Sequence, residues 1–568
     1  MRRRGWTGTA AAIMFAPMDD DVQIGGAAKA EIVQREIEEA IGASDMPRAA
    51  SLAETALAQG VERPLFYTLR AMRLELEGRS LEALGDLKRA QALDPSDFMA
   101  ANAEGLCLLR LRKPGEALAA FDRAVELEPR FAAAHFGRGA ALERLNDLVA
   151  ARQAHERAIG LAPEFTSALA RLALLAARRR DIAAARAFAH RALAADAGEF
   201  TARLALAMTD ILEGSFAAAG ASLSNLLARG RLDETDRAAA QGLLADARDG
   251  QGHSAEAFAA YAGANDILRR THAAEFAGPG VLSARQAAGW LKGYFETTPA
   301  FRWAANLQTG PSEDPGAAGH VFLVGFPRSG TTLLEQVLAS HPQVVSLEEH
   351  ETLTESAGEF MSAPSGLDRL SSLTPIDLSP YRQAYWRRVQ AGGVDVRGKV
   401  FVDKLPLNLL KLPLIARLFP KAKVLLALRD PRDVVLSCFR RRFRMNASMY
   451  ELLTLDGAAG FYDAVMSLAE LYREKLLLEQ RALRYEDLVD GFEGQARALC
   501  AFLGVEWAPS MAGFAERARA GLIATPSSSQ VAEGLYSRGV GQWRAYREQL
   551  SPILPVLEPW VRRFGYEA

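Results

Sequence analysis

Along the first half of the chain, apolar and small residues recur three and four positions apart between short polar breaks. This pattern predicts a succession of amphipathic helices. From about residue 320 the pattern changes: short apolar runs alternate with amphipathic stretches, as in a parallel α/β sheet. The predicted strands are residues 321–325, 399–403, 423–428 and 481–485. A Gly/Pro-rich stretch, TGPSEDPGAAGH, separates the two patterns and reads as a linker.

The helical half has a fixed period. Pro95, Pro129 and Pro163 are 34 residues apart, and small residues keep the same frame at Ala83, Ala117, Ala151 and Ala185 and at Ala90, Ala124, Ala158 and Ala192. Thirty-four is the period of a tetratricopeptide (TPR) helix pair, about one supersecondary unit per repeat. Within the repeat that begins at Phe98, Gly105 and Leu108 belong to the first helix, and Ala117, Phe121 and Ala124 to the second. Small residues let the helices approach, large ones fill the groove, and the proline stops the second helix. Steps of 34 place repeat starts near Ala30, Pro64, Phe98, Ala132, Thr166 and Phe200, with a degenerate seventh around Ala257, Tyr261 and Ala264. The Leu, Phe and Ala stripes are therefore read as core, and the concave surface of the stack as a site for a protein or peptide partner. The expected organisation is an N-terminal extension over residues 1–29, an all-α TPR solenoid of six to seven helix pairs over 30–265, a helical connector and linker over 266–319, and an α/β P-loop-like domain with a parallel sheet over 320–568.

Composition narrows the function only slightly. Apolar residues make up 49% and charged residues 24%, and 67 Lys+Arg balance 69 Asp+Glu, so net charge gives no case for nucleic acid. Cys107, Cys438 and Cys500 are too few and too scattered for a disulfide framework or a zinc site, and a reducing cytoplasm is the expected location. The basic start MRRRGWTGT raises a secretory signal, but Gly and Thr interrupt its apolar stretch, and Met14 or Met18 is an alternative start. No uncharged apolar run is long enough to cross a bilayer.

The chemistry-bearing motifs follow predicted strands. VFLVGFPRSGTTLLEQVLASHP reads as strand, glycine loop and helix, so backbone N–H groups can face an anion at the helix N-terminus. The Gly325-x4-Gly330 spacing matches a nucleotide P-loop, but Thr331 stands where the lysine would be, and the positive charge comes earlier, at Arg328. That substitution argues against nucleoside triphosphate hydrolysis and leaves a kinase as the competing enzyme class. A second segment, LLALRDPRDVVLSCFRRRF, puts Arg429 at a strand end and Ser437 on the next helix, where Ser437 and Arg441 would share a face one turn apart. Arg440 and Arg442 are read as surface.

These segments, with HPQVVSLEEHE, VFVDKLP and TPSSSQV, resemble sulfotransferases that use 3′-phosphoadenosine 5′-phosphosulfate (PAPS). The similarity is closest to tyrosylprotein sulfotransferases, and the TPR fusion is similar to bacterial TPR-containing members. The resemblance implies that Arg328, Ser329, Gly330, Thr331 and Thr332 form the 5′-phosphosulfate loop. It further implies that Arg429, Ser437 and Arg441 grip the 3′-phosphate, that Tyr485 contacts the nucleotide, and that Ser527 and Ser528 lie near the phosphosulfate. Glu349 is then the base and Lys404 the charge-stabilising lysine, with Glu348 or His350 as alternative bases. Two positions depart from the family pattern: Leu347 replaces a glycine and Gln542 a lysine, for which Arg538 can substitute. PAPS is the implied co-substrate, with no metal, since sulfuryl transfer can rest on positioning and a few donors. The implied acceptor is a hydroxyl on protein or peptide tyrosine. A carbohydrate, lipid or small phenol, or a non-catalytic nucleotide-binding TPR scaffold, are the competing readings. His341 is expected to close a helix end, and Cys438 to be a small buried residue.

Overall fold

A computed structural model of the protein describes residues 27–228, 232–304, 313, 315–520, 534 and 539–567. The chain divides into two compact units, Met1–Ala177 with Asp181–Ala205, and Leu206–Ala568 with Arg178–Arg180.

In the first unit the 34-residue period becomes antiparallel helix pairs: Pro64–Leu76 with Ser80–Leu93, Phe98–Arg110 with Pro114–Leu127, Ala132–Arg144 with Leu148–Leu161, and Thr166–Arg178 with Ile182–Ala195. Each pair begins at the residue the period indicates. An earlier pair, Ala27–Gly42 and Met46–Ala58, opens the array. The in-frame alanines Ala83, Ala117, Ala151 and Ala185 are fully buried. Phe121 shows why the small residues matter: its ring fills a slot between Gly105 and Gly137, and a Cβ on Gly105 would lie 2.7 Å from it. Adjacent repeats are also tied by charge. Glu143 accepts from His155 Nε2 at 2.9 Å and from Arg171 Nε at 2.9 Å, residues on three different helices.

Among the described residues of the second unit five strands form one parallel sheet in the order β2-β3-β1-β4-β5: β1 is Gly319–Gly325, β2 Val344–Glu348, β3 Val400–Lys404, β4 Lys423–Leu428 and β5 Glu479–Arg484. Side chains alternate strictly between two cores. Phe322, Val324, Phe401 and Val424 enter one, while Val321, Leu323, Val400, Val402 and Leu425 enter the other. Both faces are covered, which is why the strands read as continuous apolar runs. The strand β2 is not among those expected: Ser346 and the acidic run from Glu348 break its apolar pattern.

The stretch expected to be a connector packs into one of the two cores beside the sheet. Leu291 and Phe295 on helix Ala284–Thr297, and Trp303 beyond it, are buried in the same cluster as Phe322 and Phe401. The ring of Phe295 meets Tyr472 of helix Leu455–Lys475 edge-on at 4.9 Å. The last repeat-like pair, Glu234–Gly250 and Ser254–Phe276, likewise belongs to the second unit, where Phe258 stacks on Phe439 at 5.1 Å.

Candidate active site

β1 lies between β3 and β4, so the chain leaves the sheet in opposite directions on its two sides. The loop after β1 therefore opens at a topological switch point, where open α/β sheets bind ligands. The loop turns sharply. Arg328 has φ +72°, a left-handed conformation that costs a non-glycine residue about 1 kcal/mol or more. Gly330, at φ +94°, caps the helix Thr331–Ala339. Ser329, Thr331 and Thr332 are buried at this turn.

The two predicted anion grips meet. Arg328 Nε donates to Ser437 Oγ at 2.9 Å, joining the loop to helix Pro431–Arg440. Arg429, just past β4, donates to the Arg328 carbonyl at 3.2 Å and to the Gly539 carbonyl, and its guanidinium lies 5.2 Å from the centroid of the Tyr485 ring. Tyr485 in turn packs against Gly330, where a Cβ would lie 2.8 Å from the ring. Among the described residues, Arg429 Nε is buried without a hydrogen-bond partner. Burial, with Arg441 and Arg429 nearby, pushes the Arg328 guanidinium down to about 9. A guanidinium buried among other cations is a favourable place for a phosphate or sulfate group.

A second cluster stands at the ends of β2 and β3. Glu349 follows β2; its N–H donates to the Lys404 carbonyl at 2.9 Å, and its half-exposed carboxylate receives Lys404 Nζ at 3.0 Å. Lys404 points to the same sheet face as Val402, the face covered by the loop helix, and there it meets Glu335 at 3.1 Å. Both Lys404 and Glu335 are fully buried. Burial pushes the Glu335 carboxyl up to about 7, against the pull of Lys404 and with the push of Glu348 and Glu349. Burial opposes the charge of Lys404, but the two carboxylates outweigh it and raise its pKa. On the opposite face Asp403 accepts from Thr352 at 2.7 Å and Tyr385 at 2.9 Å, so the turn that carries Glu349 is pinned from below.

Other expected residues fall into place differently. His350 Nδ1 contacts the Glu348 carbonyl, which ties the ring back to its own turn. His341 accepts from Gln343 N–H at 3.1 Å through Nδ1 and meets the Glu506 carbonyl at 2.7 Å through Nε2, a structural role just beyond the helix end. Cys438 is buried against the Pro327 carbonyl and pushed up to about 12 by burial, hence chemically quiet. Arg441 does not share a helical face with Ser437: the helix ends at Arg440, and Arg441 is extended. At this helix end Asn265 donates to the Phe439 carbonyl at 2.9 Å, satisfying an acceptor that has no partner within the helix. Arg440 is not a surface residue. It pairs with Asp249, and its guanidinium lies 5.5 and 5.4 Å from the ring centroids of Tyr261 and Tyr546. Arg442 is exposed but donates to the Ala239 carbonyl. Ser527, Ser528 and Arg538 lie outside the described residues. Sequence reasoning passed over Glu335, because a glutamate on a helix reads as solvated; its only signal was its position among Leu334, Val337 and Leu338.

The fold and these clusters define a parallel α/β domain with a tight, arginine-bearing turn at its switch point and a carboxylate–lysine pair at the ends of the two strands on one side of it. Residues 320–509 match the model of the sulfotransferase family, and residues 102–164 match a tetratricopeptide repeat model. The chain thus carries a sulfotransferase-family domain after a TPR array. An uncharacterized protein of Aquifex aeolicus is 26% identical over 264 residues, 44% of this chain and 33% of that protein. Protein-tyrosine sulfotransferase 1 of Danio rerio is 25% identical over 260 residues, 44% of this chain and 72% of that protein. The chain thus spans about a third of the first of these relatives. Among solved structures, the sulfotransferase domain of the Synechococcus PCC 7002 olefin synthase is 21% identical, with a TM-score of 0.31, covering 46% of this chain and 99% of that one.

Proposed function

We propose that this protein transfers a sulfuryl group from PAPS to a hydroxyl, with tyrosine on a protein or peptide as the acceptor. The observation that carries the reading is the pairing of Glu349 with Lys404 on the same sheet end as the Arg328–Ser437–Arg429 cluster. Arg429 and Ser437 hold the 3′-phosphate, aided by Arg441, while the loop Arg328–Thr332 and Tyr485 hold the 5′ side. The acceptor oxygen attacks sulfur as the bond from sulfur to the bridging phosphate oxygen breaks. The acceptor proton passes to Glu349, and the charge growing on the departing adenosine 3′,5′-bisphosphate is met by Lys404, Arg328 and the Thr331 and Thr332 hydroxyls. A base of this kind contributes about 10²- to 10⁴-fold in rate, and one donor to the developing oxyanion about 10²- to 10³-fold. Ser527, Ser528 and Arg538 are assigned to the same site on family resemblance.

The tyrosine acceptor draws on the named relatives and on the TPR array, since stacked repeats commonly hold extended peptides and can raise a substrate's effective concentration. The test is incubation of the purified chain with ³⁵S-labelled PAPS, a tyrosine-containing acidic peptide and a cell lysate. Label in peptide and protein as tyrosine sulfate is expected. Label confined to glycan, lipid or small phenols would replace the acceptor, and binding of the bisphosphate with no transfer would favour a nucleotide-binding scaffold.

A further inference from the structure

Lys404 is fully enclosed and has two carboxylates within ion-pair distance, and the two differ in kind. Glu349 is partly open to solvent and accepts a directed hydrogen bond at 3.0 Å. Glu335 is sealed inside the domain, 3.1 Å from Nζ but with neither oxygen receiving a directed hydrogen bond. A carboxylate enclosed against a single ammonium is costly to bury, and a position on this helix with no part in the site would be better filled by an apolar residue like its neighbours Leu334 and Val337.

The proposed chemistry gives the second carboxylate a task. When Glu349 takes the acceptor proton it becomes neutral, and Lys404 loses one of its two counter-charges just as negative charge grows on the departing phosphate. A buried ammonium with no counter-charge sheds its proton readily. We infer that Glu335 is a positioning residue that keeps the Lys404 ammonium charged and in place while Glu349 is protonated. The charged groups that face this pair are Glu335 from the loop helix, Glu348 at the end of β2 and Glu349 just beyond it. Their mutual repulsion has the right sense: with Glu349 neutral, one push on Glu335 disappears, so Glu335 holds its negative charge better at the moment Lys404 depends on it. The carboxyl of Glu335, raised to about 7, is poised where such a change alters its ionisation.

The role in turnover rests on the sulfuryl-transfer reading, but the charge-holding role can be measured without any reaction. In the full chain labelled with ¹³C,¹⁵N-lysine, the Lys404 side-chain signal is assigned by its loss in Lys404→Arg and followed through a pH titration. Glu349→Gln stands in for protonated Glu349. It should leave the Lys404 acid constant within about 3-fold of wild type, whereas Glu335→Gln/Glu349→Gln should raise that constant more than about 10-fold. An equally large rise in Glu349→Gln alone would overturn the inference. In assays, Glu335→Gln should lower kcat by about 10-fold or more and pull the alkaline limb of the pH profile to lower pH, with bisphosphate affinity within about 3-fold of wild type. Glu335→Asp should recover part of both losses. If Glu335→Gln matches wild type in kcat and pH profile, the inference fails. A wild-type chain that transfers no sulfuryl group would sink the functional reading, while the titration still decides the fate of Glu335.

Discussion

The two units of this protein are held together at different ranges of sequence. In the repeat unit each contact reaches the next helix or the next repeat, as when Phe121 sits between Gly105 and Gly137 or Glu143 binds His155 and Arg171. In the sheet unit many contacts that shape the site reach much further along the chain, such as Lys404 with Glu349, Arg328 with Ser437, and Asn265 with Phe439. The first kind of architecture tolerates local damage, because stability there is nearly a sum over neighbours. The second depends on segments that look dispensable in the sequence.

Truncation should break the contrast most completely. A fragment beginning at residue 309 lacks Leu291, Phe295 and Trp303 and opens the core around Phe322. It is expected to give no cooperative thermal transition, whereas a fragment beginning at residue 196 melts cooperatively and binds adenosine 3′,5′-bisphosphate in calorimetry. Equal behaviour of the two fragments would return residues 266–308 to the status of a linker.

The next effect is chemical. Glu349→Gln should reduce kcat by about 10²- to 10⁴-fold with bisphosphate affinity within a few-fold of wild type, measured with ³⁵S-labelled PAPS. In the repeat unit, Phe121→Ala removes a fully buried ring whose space the two glycines cannot refill. The expected loss is about 3–5 kcal/mol in urea unfolding of that unit, with nucleotide binding unchanged. Glu143 gives that unit an acid limb. Burial opposes its charge, but His155 and Arg171 outweigh it and hold the carboxyl down to about 2. Because the folded pKa is depressed, the pair stabilises above the ordinary carboxylate range and its contribution fades as pH falls from about 4.5 toward 2. It is worth roughly 3 kcal/mol at neutral pH, and Glu143→Gln should flatten that part of the stability profile. The smallest effect is at the nucleotide: Arg429→Ala removes a charge-assisted contact and should weaken bisphosphate binding by about 10- to 100-fold, read by calorimetry, with the fold intact.

What could be read from the sequence follows the same division. The repeat boundaries at Pro64, Phe98, Ala132 and Thr166 were legible because the period imposes them independently of anything distant. The loop, Arg429 and Lys404 could be placed because each follows a strand that the apolar pattern predicts, whereas Glu349, beyond the unexpected strand β2, and the roles of Ser437 and Tyr485 rested on the family resemblance. Glu335, Arg440 and Trp303 were not, because nothing local says that a glutamate, an arginine or a connector residue will be enclosed. Their burial comes from elements contributed by remote segments: β3 for Glu335, the helices bearing Asp249 and Tyr261 for Arg440, and the long helix of Tyr472 for Trp303.

The slot around Phe121 also bears on how such an array can change by recombination. One period further on, His155 takes the place of Phe121 and Gly139 that of Gly105, but Arg171 stands where Gly137 would be. An unequal crossover that removed residues 122–155 would preserve the reading frame and the helix pattern. It would also set a guanidinium against a phenyl ring that had a glycine for its neighbour, and delete Glu143, the carboxylate that now neutralises Arg171. The repeats are alike in length and outline but are not interchangeable parts.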